Sequence, residues 1–470
     1  MRLGITSAAG WFAALGMCLT MASAQDEERP PSRRAMSQAA GYKAQFTCSG
    51  LFNAGKSLEQ IAAHELTNIY PDYGPAMARL PDADVDQRRK TVSVTYADDM
   101  PPRIAAWRPH LGCASLPPGA SDTGLLARST AKKPRRRAST PWPQGDRLPT
   151  DDLPENVDKA MLASAFDGAF AGDFGGVTSA VVVVQDGRLI SEQYLEGFDI
   201  TTSQRTWSVA KSIGATVIGA AVEDGIVAVD QVTGIDQWSA DGDPRGTITL
   251  ANLLHMGSGL DSEPAGNRTD AIYFGGGLVT DHAKGNLLAA VPGERWRYAN
   301  NDTMLALLTL REAMEDDAAY LRYPFERVLY KIGMLNTHLE TDWQGNFILS
   351  SQVWTTARDL ARLGILYLQD GVWEGERILP EGWADHVATP APSQPPGADE
   401  RPSRGYGAQF WLYQGYPGVP DGTYAALGNR GQFVIIVPER NVVIVRRGYD
   451  YRGERFDGPA FTAAVLATLE

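Results

Sequence analysis

The chain has 470 residues, 43% of them hydrophobic, and a formal net charge of −13. That length suits one large domain plus a smaller one with an ample core, and the acidic balance argues against nucleic acid as the main partner. Its six histidines are scattered without H-E-x-x-H or similar spacing, so neither a metal nor a cofactor is expected.

Arg2 gives a charged start, residues 11–21 form a short apolar run, and Ala22-Ser23-Ala24 is an A-x-A cleavage motif. Residues 1–24 therefore read as a secretory signal, which implies an exported protein, periplasmic or secreted, whose mature chain begins near Gln25. The apolar run is too short and too interrupted by glycine for an anchor, so no stable membrane insertion is expected. Bulky Met17 disfavours a lipoprotein reading of Cys18. Cys48 and Cys113 then remain, and two cysteines in an exported protein read as one disulfide, with two buried thiols as the alternative.

Residues 25–40 are polar and expected to be disordered. A small α+β module is expected over 41–118, with a helix over 57–70 opened by a Ser57/Gln60 capping box, a strand over 91–96 and its partner over 104–107. Residues 119–152 are rich in Pro, Arg and Ser and read as a linker. The large domain, 153–470, opens with a helix over 157–170. Strands over 177–184 and 188–194 follow, joined by an Asp186-Gly187 turn. Helical and loop-rich sequence fills 208–389, including a strongly periodic stretch over 356–369. Strands return at 424–427, 433–437 and 442–446, the last two joined through residues 438–441, and a helix over 458–469 ends the chain. Strands at both ends with helices between predict an α+β fold: one antiparallel sheet flanked by helices and carrying a large helical insertion, with a site in the cleft between the lobes.

Ser208 stands three residues ahead of Lys211 at the head of an apolar run that includes Val209, Ile213, Val217 and Ile218. One helical turn puts both side chains on one face. A buried helix start offers free N–H groups that favour developing negative charge, and a lysine kept from holding its proton can take that of a serine. The same spacing at Ser129 and Lys132 lies in an arginine-rich stretch with no apolar helix behind it. Two further motifs complete a constellation. Tyr298 and Asn300, in Arg297-Tyr298-Ala299-Asn300, supply a phenol and an amide. Gly428-Asn429-Arg430-Gly431-Gln432 runs into an apolar strand, where glycines permit close backbone approach to a ligand.

In this order the three motifs resemble those of the class C β-lactamase-like serine hydrolases, the penicillin-recognising fold. The resemblance covers nearly all of residues 155–470 and includes Leu253-Leu254-His255-Met256-Gly257-Ser258-Gly259-Leu260. Residues 359–383 are similar to the branch containing aminohexanoate-oligomer hydrolases and related esterases. The resemblance implies a β-lactamase/transpeptidase-like fold, with Ser208 as nucleophile, Lys211 as its partner, Tyr298 as general base or proton shuttle, and Asn300 as a substrate-orienting amide. It also implies an oxyanion hole from the backbone N–H groups of Ser208 and Gln432, with Gly431 beside it. The family's penicillin-cleaving members carry Lys-Thr-Gly or a histidine variant in the third motif. Here Asn429 stands there, followed by Arg430, which becomes the candidate to meet a substrate carboxylate. No G-x-S-x-G elbow occurs, so His255 and His282 read as structural. The expected activity is hydrolysis of carboxylic esters or small amides through an acyl-enzyme on Ser208. The alternatives are β-lactam or cell-wall peptide hydrolysis, and a non-catalytic binding protein on the same fold.

Overall fold

The computed structural model describes residues 30–69, 71–135, 139–148, 150, 153–262, 273–451 and 453–469. The expected signal segment, 1–24, lies outside them.

The polar stretch expected to be disordered is helical from Arg33. Helix α1 (Arg33–Phe52) starts where the Ser32 hydroxyl accepts the Ala35 N–H at 3.1 Å. Its buried residues include Tyr42, Phe46 and Cys48 together with Ala39, Ala40, Gly41 and Ala44, small residues that carry little hydropathy but let the helix lie close on its neighbours. A Cβ at Gly41 would come within 2.3 Å of the Phe274 carbonyl oxygen. Helix α2 (Leu58–His64) has the expected capping box at Ser57 and Gln60 but ends at His64, because the next residue, Glu65, is drawn into a buried pair with Lys56. After the short α3 (Gly74–Met77) come strands β1 (Asp84–Asp86), β2 (Thr91–Val94), β3 (Arg103–Arg108) and β4 (Gly112–Ser115), antiparallel and in chain order. Thr91 faces Ala106, so the two expected strands are partners. A disulfide joins Cys48 on α1 to Cys113 on β4.

The larger unit is built on strands from both ends of its sequence. From the first end come β5 (Thr178–Gln185) and β6 (Arg188–Tyr194). From the second come β12 (Ser403–Tyr406), β13 (Trp411–Gln414), β14 (Tyr424–Gly428), β15 (Gln432–Val437) and β16 (Val442–Gly448). They form a seven-stranded sheet in the order β12-β13-β14-β15-β16-β5-β6 with antiparallel pairing throughout. Strand β5 is buried along its whole length, as its unbroken valine run implies. Val182 and Val184 enter the core shared with α5 (Val209–Glu223) and α10 (Ala357–Leu368). Val181 and Val183 face the other core, under α4 (Lys159–Ala171) and α12 (Gly458–Leu466).

Between the sheet's two halves run α5, α6 (Leu250–Leu254), α7 (Val279–Gly285), α8 (Asn300–Met314) and α9 (Asp317–Tyr323), then α10 and α11 (Trp383–Ala388). This is the expected helical insertion. A small sheet within it orders β7 (Gln204–Arg205), β9 (Val353–Thr355) and β8 (His338–Leu339), and delivers the chain to Ser208. A two-strand ribbon, β10 (Val372–Trp373) with β11 (Glu376–Arg377), follows α10.

The described part of the expected linker is laid onto this unit. Trp142 is buried, and Arg362 of α10 donates to the carbonyls of Pro143 and Gly145, each at 2.7 Å. A composition of Pro, Arg and Ser hides this docking, because backbone carbonyls, one tryptophan and the Asp146 carboxylate, 2.7 Å from Arg362, make the contact.

Candidate active site

Strand β7 ends at Arg205, and the chain turns through Thr206 and Trp207 before α5 begins. Trp207 holds φ at 50°, a conformation few tryptophans adopt. Ser208 occupies the cap position of α5 but makes no capping bond with its side chain, which leaves its hydroxyl available to Lys211. It is partly exposed, while Val209 to Ala221 behind it are buried.

Lys211 is buried, and its Nζ donates to Asn300 Oδ1 at 2.6 Å and to the Ser350 carbonyl at 2.7 Å. Ser208 Oγ lies 3.4 Å from the same nitrogen. Burial alone pulls the Lys211 ammonium down to about 7. Tyr298 stands over the pair, its ring centroid 4.9 Å from Lys211 Nζ. Burial raises the phenol well above its ordinary value and outweighs the nearby Ser208 hydroxyl, which favours the phenolate, so Tyr298 keeps its proton at neutral pH. Asn300 opens α8, one residue past the extended Ala299. The Leu253–Leu260 segment seats this motif: Met256 O accepts the Arg297 N–H at 2.8 Å, and Ser258 is held by buried Asp302 of α8 at 2.8 Å.

Ser208, Lys211, Tyr298 and Asn300 therefore converge. The third motif behaves differently. It is the tip of the β14–β15 hairpin, with Gly428 paired to Gln432. Gly428 is the residue against the serine: a Cβ there would lie 2.3 Å from the Thr206 carbonyl oxygen and 3.2 Å from Ser208 N. Gln432 is turned inward, its amide donating to the carbonyls of Arg430 and Gly448 and accepting from Arg447. Gly431 backs onto Arg446, which donates to its carbonyl at 2.8 Å. Arg430 does not face the serine either, because its guanidinium donates to the His64 carbonyl of the N-terminal module.

His255 pairs with the His386 ring at 5.7 Å and is pushed down to about 4 by burial, while His282 is exposed on α7. The second Ser-x-x-Lys pair is not assembled: Ser129 Oγ donates to the Leu321 carbonyl, and Lys132 is exposed. Sequence reasoning missed the Ser350 carbonyl, since a backbone acceptor has no residue signature. It also missed the wall of Trp296, Tyr406 and Trp411, whose ring centroids lie 5.5–6.2 Å from that of Tyr298. Aromatic residues near the Tyr-x-Asn motif were the available signal.

The sequence profile of the Beta-lactamase family matches residues 162–446. The chain belongs to that family. It is a serine hydrolase of the β-lactamase fold and is 25% identical, over 304 residues, to the 6-aminohexanoate-dimer hydrolase of Paenarthrobacter ureafaciens, a match spanning 57% of this chain and 72% of the relative. In structure it is similar to a Bacillus anthracis protein named provisionally as a 6-aminohexanoate-dimer hydrolase (TM-score 0.53, 23% identity, 68% of this chain and 85% of that one). A family VIII carboxylesterase is also similar, at TM-score 0.53 and 14% identity, over 68% of this chain and 98% of the other. At these identities the two structures speak for the fold.

Proposed function

We propose that this protein is an exported hydrolase of carboxylic esters or small amides that works through an acyl-enzyme on Ser208. One observation carries the reading. A neutral Lys211 amine has two N–H groups and one lone pair. Asn300 Oδ1 and the Ser350 carbonyl take the two N–H groups, which leaves the lone pair for the Ser208 hydroxyl. With burial holding Lys211 to about 7, that neutral form is well populated at physiological pH.

In the proposed reaction Lys211 takes the Ser208 proton as Oγ attacks the substrate carbonyl. The Ser208 N–H and the amide following Gly428, that of Asn429, receive the oxyanion; the approach of Gly428 to Ser208 N supports this hairpin position over Gln432. Tyr298, protonated and beside the pair, relays the proton from Lys211 to the leaving oxygen or nitrogen. Water then attacks the acyl-enzyme by the reverse proton route.

Trp296 and Trp411 beside Tyr298 suit a compact apolar acyl group. Arg430, tied to the N-terminal module, is not positioned to meet a penicillin carboxylate, which favours esters and linear or cyclic amides over β-lactams. The name of the Paenarthrobacter relative adds linear amides of 6-aminohexanoate to the substrates worth testing. The test is hydrolysis of a p-nitrophenyl ester series, 6-aminohexanoate dimer and a chromogenic cephalosporin by wild type and Ser208→Ala, with intact-mass detection of a fluorophosphonate adduct. Turnover and adduct lost together in the folded variant support the reading. Activity retained by Ser208→Ala overturns it, and preference for the cephalosporin overturns the substrate class.

A further inference from the structure

One route from the N-terminal module to the nucleophile runs through the side chain of Arg205. Arg205 is buried, two residues after Ser203 and three before Ser208. Its guanidinium carbon lies 3.6 Å from the Trp207 ring centroid and 4.3 Å from that of Phe46. Phe46 belongs to α1 of the module, is fully buried, and is braced edge-on by Phe274 at 5.2 Å. The same guanidinium donates through Nε to the carbonyl of Ser351 at 3.3 Å, and the neighbouring Ser350 carbonyl holds Lys211. Arg205 thus touches both supports of the reacting pair: the strained Trp207 turn that presents Ser208, and the carbonyl loop that orients Lys211.

Helix α1 is itself fixed in place on this side. Buried Glu340, one residue past β8, accepts from Ser49 Oγ, Asn53 Nδ2 and Gln45 Nε2 of α1 at 2.5, 2.9 and 3.2 Å, and from the Cys113 N–H at 3.2 Å. Strand β8 pairs with β9, and β9 pairs with β7, which contains Arg205. The disulfide, α1, Glu340 and the small sheet form one continuous frame that ends at Trp207. A flat guanidinium stacks on two ring faces at once, which a lysine ammonium does not.

We propose that Arg205 is a positioning residue, clamped by Phe46, and that the N-terminal module is thereby a working part of the hydrolase site. The proposal rests on the reading of Ser208 and Lys211 given above. A turn that loosens by a fraction of an ångström lowers the share of attack-ready geometry without removing any group that meets substrate.

The test uses the full oxidised chain with Phe46→Leu, which keeps apolar volume but removes the ring face, with Arg205→Lys, and with the double variant. Melting temperature and intact mass establish folding and the disulfide. Each is assayed for kcat, KM, fluorophosphonate labelling rate and the pH dependence of kcat/KM. The expected result is a loss of kcat and labelling rate of roughly 10- to 100-fold at little-changed KM. The acid limb governed by Lys211 should also move to higher pH as water reaches the loosened loop. The double variant should lose little more than Arg205→Lys alone, because both changes break one clamp. Wild-type kcat in folded Phe46→Leu, or strictly additive losses, overturns the positioning role and leaves the hydrolase reading standing. A wild type that neither turns over nor labels overturns both, and the two failures are thus distinguished.

Discussion

Replacing Asn300 with Asp tests the proton chemistry with almost no change of shape. Asn300 Oδ1 is 2.6 Å from Lys211 Nζ, and burial alone lowers that amine to about 7. Asn300→Asp sets a carboxylate against it, and an opposite charge at such range favours the ammonium by about 1–3 pKa units. At 2.6 Å and an effective dielectric near 20 the bare attraction is about 6 kcal/mol, or roughly four to five units. Burial also costs the new carboxylate its hydration, which offsets part of that attraction and leaves about one to three units as the working range. A base that must be neutral works above its pKa, so activity should rise with pH through the Lys211 midpoint in wild type and through a higher midpoint in the variant. At pH 7 the neutral fraction falls from about one half to between about a tenth and a thousandth, a loss of about 5- to 500-fold. The assay is kcat/KM for a p-nitrophenyl ester from pH 5 to 10, corrected for spontaneous hydrolysis. Substantial recovery at alkaline pH supports the reasoning. A uniform loss at every pH, or a midpoint left near 7, refutes Lys211 as the base.

Tyr298→Phe keeps the ring against Trp411 but removes the relay hydroxyl, and turnover should fall roughly 100- to 10,000-fold with the melting temperature little changed. Gly428→Ala drives a methyl into the Thr206 carbonyl and against Ser208 N; kcat should fall roughly 100- to 1,000-fold if the hairpin donates to the oxyanion, whereas Gln432→Ala should act mainly on stability. Replacing both Cys48 and Cys113 by serine opens a loop of sequence separation 65, which costs about 4 kcal/mol on the chain-entropy account and should appear in the urea midpoint.

The pair at the heart of the site was legible because its signal is local. Spacing puts Ser208 and Lys211 on one face of α5, and the apolar residues behind them say that the face is buried. The hairpin of β5 and β6 was equally plain, with Asp186 and Gly187 both at positive φ in its turn. What escaped is what depends on distant partners. Helix α1 has no long apolar stripe; it is held by small residues, by Tyr42 and Phe46 packed on Phe274, and by Glu340 nearly 300 positions away in sequence. Edge strand β12 and its neighbour β13 carry Ser, Arg, Gly and Gln among their residues, so their pattern is weak, and neighbouring strands create them. Arg430 and Gln432 sit where a motif match puts them, yet a three-residue hairpin tip turns consecutive side chains in different directions. Only the His64 carbonyl and the Arg447 guanidinium reveal which way each went.

The placement of β5 between β16 and β6 has a consequence for how the molecule is made. Val182 pairs with Val445, about 260 residues further along the chain, so the seam that joins the two ends of the sequence in the large sheet closes only after nearly the whole polypeptide is available. Contacts of such long sequence separation form slowly. The β1–β4 meander closes over short loops and has no need to wait. Helix α1, which packs on this meander, backs Arg205 with Phe46, so the surface behind the reactive turn belongs to a stretch of chain that can order locally before the large sheet closes.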